Sequence, residues 1–311
     1  MEDARVRRIR ELIEPLRVPP GSTVVLEDDF SPVDTGDVFS KEDSHGLIEQ
    51  GVALLDDYQA RLAAQDSYGV LVVLQALDAG GKDSTIRHVM SGVNPQGVVV
   101  HGFRVPSAEE LDHDYLWRYA QKLPARGQIT IFNRSHYEEV LVTRVHPEIL
   151  ERQKLPPAAR DDGVWERRYR QINDWERFLV ENGFPVVKLF LNLSKEEQRR
   201  RFLRRIEHTE KNWKFKAHDV EERAHWDDYQ AAFSEMLSAT STEHAPWYVI
   251  PADHKWFMRV AVAAVLVNTL YEIDPQYPTV DAEAKRELAA SKEALEAEAP
   301  LAAATGKGVN H

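Results

Sequence analysis

The sequence predicts an α/β fold, a three-layer sandwich in which helices cover both faces of a central parallel sheet of about five strands. Two observations predict it. Five short apolar or β-branched runs, at 69–77, 98–103, 129–132, 186–191 and 247–250, alternate with stretches of helical periodicity. The first run, Val70-Leu-Val-Val-Leu74, is apolar at consecutive positions, the pattern of a parallel strand buried on both faces. In such a sheet, binding groups collect at the carboxyl ends of the strands.

In chain order, residues 1–40 are rich in Pro, Asp and Ser and are expected to form an N-terminal arm extended over the surface. Residues 41–65 read as a helix, with Leu47, Ile48, Leu55, Tyr58 and Leu62 at helical spacing. They open the main domain, expected to span 41–280. Later helices announce their starts with capping boxes, Ser107 with Glu110 and Ser194 with Glu197. From about Asp281 the composition turns to Ala, Glu and Lys, so 281–311 is expected to be a solvated helix and a frayed tail without chemistry.

Composition narrows the function classes. The chain has 311 residues, 43% of them hydrophobic, and no cysteine, which removes disulfides and thiolate chemistry. Its start carries alternating charges without a signal-peptide core, and Val260–Val267 is too short an apolar run to span a bilayer. A cytoplasmic protein without a membrane partner is expected. The net charge of −12 argues against general nucleic-acid binding, yet residues 195–218 hold nine Lys/Arg against four Glu. A basic island on an acidic chain is a local anion site, or else a helix face laced with ion pairs.

The first strand runs directly into Asp78-Ala-Gly-Gly-Lys-Asp-Ser-Thr85. Gly80 and Gly81 let backbone N–H groups approach an anion, Lys82 adds a charge, and the next helix presents its positive end. The loop departs from G-x-x-x-x-G-K-[ST] at two places. Ala76 stands where the first glycine belongs, and Asp83 stands where the hydroxyl belongs, with Ser84 and Thr85 following. The third strand ends in Asn133-Arg-Ser-His-Tyr-Glu138, where a phosphate-loop enzyme keeps its second metal ligand. Asn133 is a poor ligand, whereas Arg134 suits phosphate recognition. The tetrapeptide Asn-Arg-Ser-His within it also reads as a polar loop around a satisfied histidine.

Three stretches, 74–85, His88-Val-Met-Ser-Gly-Val-Asn-Pro-Gln-Gly97 and Phe132-Asn-Arg-Ser-His-Tyr-Glu138, resemble the polyphosphate kinase 2 family. Lys211-Asn-Trp-Lys-Phe215, Trp226-Asp-Asp-Tyr229 and the run from Trp247 to Trp256 are similar too, so the resemblance covers roughly 40–275. It implies a P-loop kinase-like fold with a helical lid near 195–230. It also implies reversible phosphoryl transfer between inorganic polyphosphate and AMP or ADP, a homo-oligomer, and guanine nucleotides as alternative substrates.

The chemistry then distributes over residues. Lys82 and the loop Ala79, Gly80, Gly81, Asp83, Ser84 and Thr85 would cradle donor phosphates. Asp78 would hold Mg2+, with Mn2+ as the alternative, unless it merely caps the next helix. Arg134 would contact the transferring phosphate. Arg201, Arg205, Lys211 and Lys214 would line the polyphosphate channel, with Arg199, Arg200 and Arg204 left to solvent. Asn133, Arg134 and Glu138 would face the nucleotide, although Glu138 also reads as a structural ion pair. Trp213 would stack on a base or serve as a buried anchor. An ATP-dependent nucleoside monophosphate kinase and a non-catalytic nucleotide-binding regulator are the rival readings.

Overall fold

Each of the five apolar runs is a strand: β1 (Val70–Gln75), β2 (Val98–Gly102), β3 (Ile129–Asn133), β4 (Val186–Asn192) and β5 (Trp247–Pro251). This computed structural model describes residues 4–298 except Lys216; the side chain of Lys214 and residues 299–311 of the tail also lie outside the described residues. The sheet order is β2-β3-β1-β4-β5, with every pairing parallel. β1 is central, with Leu74 beside Asn133 of β3 and Gln75 beside Phe190 of β4. The residues that follow β1 and β3 therefore emerge side by side.

Strand periodicity divides the core in two. Val70, Val72 and Leu74 join an apolar cluster with the helices Ser44–Gln65 and Lys255–Ile273. Leu71 and Val73 face the other way, into a cluster with the helices Glu138–Val145, Val164–Glu181 and Trp226–Thr240. Complete burial of side chains such as Leu62 and Phe132 stabilises each face by about 1.5–3 kcal/mol per residue. The Lys255–Ile273 helix contains the apolar run at 260–267. Its 19 residues are long and apolar enough to cross a membrane, but 67% of its apolar window is buried inside the protein. It ends at Asp274 in a left-handed conformation, φ 48°, just before Pro275.

The N-terminal segment differs from the extended arm expected. Ala4–Ile13 is a helix, and Leu12, Ile13 and Leu16 are buried in the same cluster as β1. Val6, Ile9, Ile13 and Leu16 supply a helical stripe that the Pro- and Asp-rich stretch after it obscured. Arg17 then forms an antiparallel bridge with Tyr248, and Val18 N–H donates to Trp247 O at 2.9 Å, covering the β5 edge. Farther on, Asn192 Nδ2 donates to Phe30 O at 2.7 Å, so this segment is tied to the end of β4.

Residues from Tyr277 form a second compact unit. Within it the helix Ala282–Ala297 starts on Asp281, whose side chain accepts from the Glu283 and Ala284 N–H groups, and none of its residues is buried.

Candidate active site

The carboxyl ends of β1, β2 and β3 open on a cleft of about 710 Å³. Its floor is the loop from Asp78 to Ser84. Gly102 to Arg104 and Asn133-Arg134 form one wall, and Arg201, Arg204, Arg205, Lys211 and Lys255 stand across from them. The two segments that the sequence marked for phosphate chemistry thus meet in one place.

The loop needs its glycines for steric reasons. A Cβ on Gly80 would lie 2.6 Å from Ala76 Cβ and 2.8 Å from Leu77 O, and Gly81 has φ +104°. Ala79 also takes a left-handed conformation, φ 62°, which costs an alanine about 1–2 kcal/mol. The helix Lys82–Val89 begins here, so its first-turn N–H groups point toward the cleft without intrahelical acceptors. Ala76, at the position of the missing first glycine, is the residue whose Cβ lies against Gly80.

Lys82 is half-buried, its Nζ donating to Ala76 O at 2.7 Å. Burial pulls its pKa down to about 8; Arg134 adds to the fall, while Asp78 and Glu138 oppose it. Across the cleft Lys255 is brought down to about 8 as well, first by burial and then by Arg201 and Arg204. A polyanion binds the protonated amines and raises both pKa values. Polyanion binding at about pH 8 should therefore take up protons. Calorimetry in buffers of different ionisation enthalpy measures this uptake. Binding without proton uptake between pH 7.5 and 8.5 would show that both amines are already fully charged in the free protein.

Arg134 sits where β3 turns, with φ 66°. It divides its guanidinium between two carboxylates: Nη2 to Asp78 Oδ1 at 2.6 Å and Nη1 to Glu138 Oε2 at 3.1 Å. Glu138, against the opposing effect of burial, raises the Arg134 pKa further, helped by Asp78, so its charge is permanent. Burial pushes the Asp78 carboxyl up, but Arg134, Lys82, Arg205 and His218 outweigh it and hold the group below the usual aspartate value. Asp78 is consequently an ionised oxygen donor at the strand end, half-exposed to the cleft. Its role as a helix cap is not observed, since Gly81 is the N-cap of the next helix, without a side-chain cap. Asn133 Nδ2 donates to Asp83 Oδ1 at 2.7 Å, tying the two loops together.

Several side chains differ from the roles expected of them. Thr85 is fully buried; its hydroxyl donates to Gly81 O at 3.0 Å and faces Met258, away from the cleft. Ser84 borders the cleft but donates to Gly81 O at 2.9 Å. Arg201 was expected to contact polyphosphate. Instead its guanidinium is spent on protein: Nη1 donates to Ala79 O at 3.0 Å and Gly80 O at 3.1 Å, Nη2 to Ala252 O, and Nε to Glu197 Oε1 at 2.9 Å. By holding the loop carbonyls, Arg201 turns the loop's N–H groups outward, and Gln198 Nε2 adds a bond to Asp78 O at 2.9 Å. Trp213 is 76% exposed, so it is no buried anchor.

The segment over the cleft is the helix Lys195–Glu207, the turn Thr209–Lys214 and the helix His218–Glu222. Ser194 accepts from Glu197 N–H, but the reciprocal half of the expected capping box is absent. Asp253 instead takes the Ser194 N–H at 2.9 Å, which leaves the Glu197 carboxylate for Arg201 and Arg204. Arg205 faces Asp219 at 3.5 Å and stacks over Phe202, and Lys211 is half-exposed. Sequence reasoning gave no role to Arg104 or Lys255 and left Arg204 to solvent. Only the position of Lys255 just after β5, at a strand's carboxyl end, signalled that it could reach the cleft.

Comparison with known proteins agrees with this geometry. The chain is 48% identical over 257 residues to "ADP-polyphosphate phosphotransferase" of Rhodopseudomonas palustris, covering 82% of this chain and 89% of that protein. It is 49% identical over 224 residues to "AMP/ADP-polyphosphate phosphotransferase" of Meiothermus ruber, covering 72% and 80%. The crystal structure of polyphosphate kinase 2 from Arthrobacter aurescens TC1 superposes with a TM-score of 0.80 at 37% identity, covering 89% of this chain and 96% of that one. The five-stranded parallel sheet of this chain, flanked by helices, is thus a P-loop kinase-like fold. With residues 39–278 matching the family Polyphosphate kinase 2, this chain belongs to that family.

Proposed function

We infer that this chain is a polyphosphate-dependent nucleotide kinase that transfers phosphoryl groups, reversibly, between inorganic polyphosphate and AMP or ADP. The observation that carries the reading is the Asp78–Arg134–Glu138 chain of ion pairs beside Lys82, at the base of a cleft ringed by further cations on an otherwise acidic protein. Phosphoryl transfer asks for in-line alignment and for charge aimed at the phosphoryl oxygens. The loop N–H groups and Lys82 hold the donor's terminal phosphates. Arg134, oriented between its two carboxylates, points its permanent charge at the group in transit. Arg204, Arg205, Lys211 and Lys255 extend the positive track along which a long polyanion can lie. Glu138 borders the acceptor side.

A divalent cation fits this site. Among the described residues no cluster of three or more His, Cys, Asp or Glu could enclose a metal. The ionised Asp78 beside a phosphate loop, with Asp83 lining the same cleft, is instead the donor set of Mg2+, which binds through one or two carboxylates, substrate phosphates and water. Mn2+ is compatible with the same oxygens. Bound there, the ion would neutralise charge on the transferring phosphoryl group.

The test is turnover with polyphosphate and Mg2+. AMP should yield ADP and ADP should yield ATP, with chelation abolishing both. The guanine nucleotides serve as a second acceptor pair. If ATP alone phosphorylates AMP, and polyphosphate neither reacts nor inhibits, the protein is an ordinary nucleoside monophosphate kinase.

A further inference from the structure

The last residue of β1 is a buried glutamine. Gln75 is 1% exposed and closes a strand otherwise made of valine and leucine. An amide placed there costs stability unless its hydrogen bonds are met. With Nε2 turned toward Glu138, it donates to Glu138 Oε1 at 2.9 Å, while its oxygen accepts from Ser135 Oγ at 3.0 Å and Ser135 N–H at 3.2 Å. The reverse orientation would aim the amide oxygen at a carboxylate and keep only the contact with Ser135 Oγ. The Ser135 hydroxyl already accepts from Tyr137 N–H at 3.3 Å, so its own proton is available to the glutamine oxygen. The amide nitrogen and the amide oxygen then each have a partner of the right kind.

The other oxygen of Glu138 receives Arg134 Nη1, and Arg134 Nη2 reaches Asp78. Gln75 therefore holds the carboxylate that holds the arginine. We propose that Gln75 is a positioning residue for phosphoryl transfer: it locks the Glu138 carboxylate in the plane that aims Arg134 at the cleft. The inference rests on the kinase reading above and adds a residue that touches neither substrate. Without the glutamine, Glu138 keeps one partner and can rotate about its terminal torsions. Arg134 would follow it, and sub-ångström drift of a charge aimed at a transition state is enough to slow transfer.

The experiment exchanges donor and acceptor. Gln75→Leu should lower kcat for polyphosphate-dependent ADP phosphorylation by about tenfold to a hundredfold, the weight of one hydrogen bond to a charged group. KM for polyphosphate should stay within about twofold, because the cationic track is untouched. Gln75→Glu should be worse, since it sets two carboxylates face to face. Combined with Glu138→Gln, however, Gln75→Glu restores a matched pair: Gln at 138 donates to Glu at 75 and still accepts from Arg134. The swapped double variant should recover at least about tenfold in kcat over Gln75→Glu alone. It keeps every hydrogen bond, so it remains informative even where Gln75→Leu fails to fold. Losses that simply multiply in the double variant would overturn the inference while leaving the function standing. A wild-type protein inactive with polyphosphate would overturn both.

Discussion

Lys82→Ala and Asp78→Asn should each lower kcat by about a hundredfold or more with the fold intact, the cost of removing a charge aimed at a transition state, about 3–4 kcal/mol. The two substitutions act on opposite partners of the same displacement. Lys82 reaches the cleft from the first residue of its helix and presently donates to Ala76 O and, more weakly, to Leu77 O. Alanine removes the charge but leaves Gly80 and Gly81, and hence the loop's path, unchanged. Asparagine at 78 is isosteric, and the main-chain carbonyl at that position still receives Gln198. What disappears is the negative charge that anchors Arg134 Nη2 and that would bind the cation. Steady-state kinetics with polyphosphate and ADP, alongside circular dichroism, decides the matter. Either variant within fivefold of wild type would remove that residue from the catalytic set.

The parts of this site that were legible in the sequence are those whose chemistry forces a residue type. A turn that leaves 2.6 Å for a Cβ at position 80 admits only glycine, and a strand buried on both faces admits only apolar side chains, so both print themselves on the sequence. The strands consequently begin and end within two residues of their expected limits. The direction in which a side chain points leaves no such print. Arg201 and Arg205 both lie in one basic helix and both border the cleft, yet Arg201 spends its guanidinium on loop carbonyls while Arg205 faces Asp219. Thr85 and Ser84 are adjacent hydroxyls, and only helix phase separates the one under Met258 from the one at the cleft. The N-terminal helix was hidden for a different reason. Its apolar stripe precedes a stretch rich in Pro and Asp, and average composition outweighed periodicity.

One anomaly stood in the sequence without receiving a role: Lys188, in the middle of the apolar strand Val186-Val-Lys-Leu-Phe-Leu-Asn192. It is fully buried and donates to Glu176 Oε2 at 2.7 Å, to Tyr137 OH at 3.0 Å and to Thr240 O. Glu176, equally buried, takes Tyr137 OH at 2.7 Å and His136 Nε2 at 3.2 Å on its other oxygen. His136 and Tyr137 follow Arg134 by two and three residues, so this network secures the turn that gives Arg134 its left-handed backbone. The polar-loop reading of Asn-Arg-Ser-His therefore holds for His136 at Nε2 alone, since its buried Nδ1 has no hydrogen-bond partner, while the phosphate reading serves Arg134.

Glu176→Leu should destabilise the protein by about 3–5 kcal/mol, because it strands the Lys188 ammonium in an apolar layer. Lys188→Met should cost a similar amount by stranding the carboxylate. The double variant Glu176→Leu with Lys188→Met should cost less than the sum, since an apolar pair of similar volume restores packing while only Tyr137, His136 and Thr240 lose partners. Acid should act on the same network. Burial pushes the Glu176 carboxyl up, but Lys188 and His136 outweigh it and hold the group below its ordinary 4.5. Burial likewise holds His136 below 6.5, against the pull of Glu176. In both cases the unfolded chain takes up the proton first, so stability present at neutral pH begins to be lost as pH falls below 6.5 for the histidine and below 4.5 for the glutamate, and goes on falling until the folded protein is protonated too. Urea unfolding followed by tryptophan fluorescence between pH 7.5 and 4 would show both effects. Single variants within 1 kcal/mol of wild type, or strictly additive losses in the double variant, would mean that the buried pair does not hold the Arg134 turn in place.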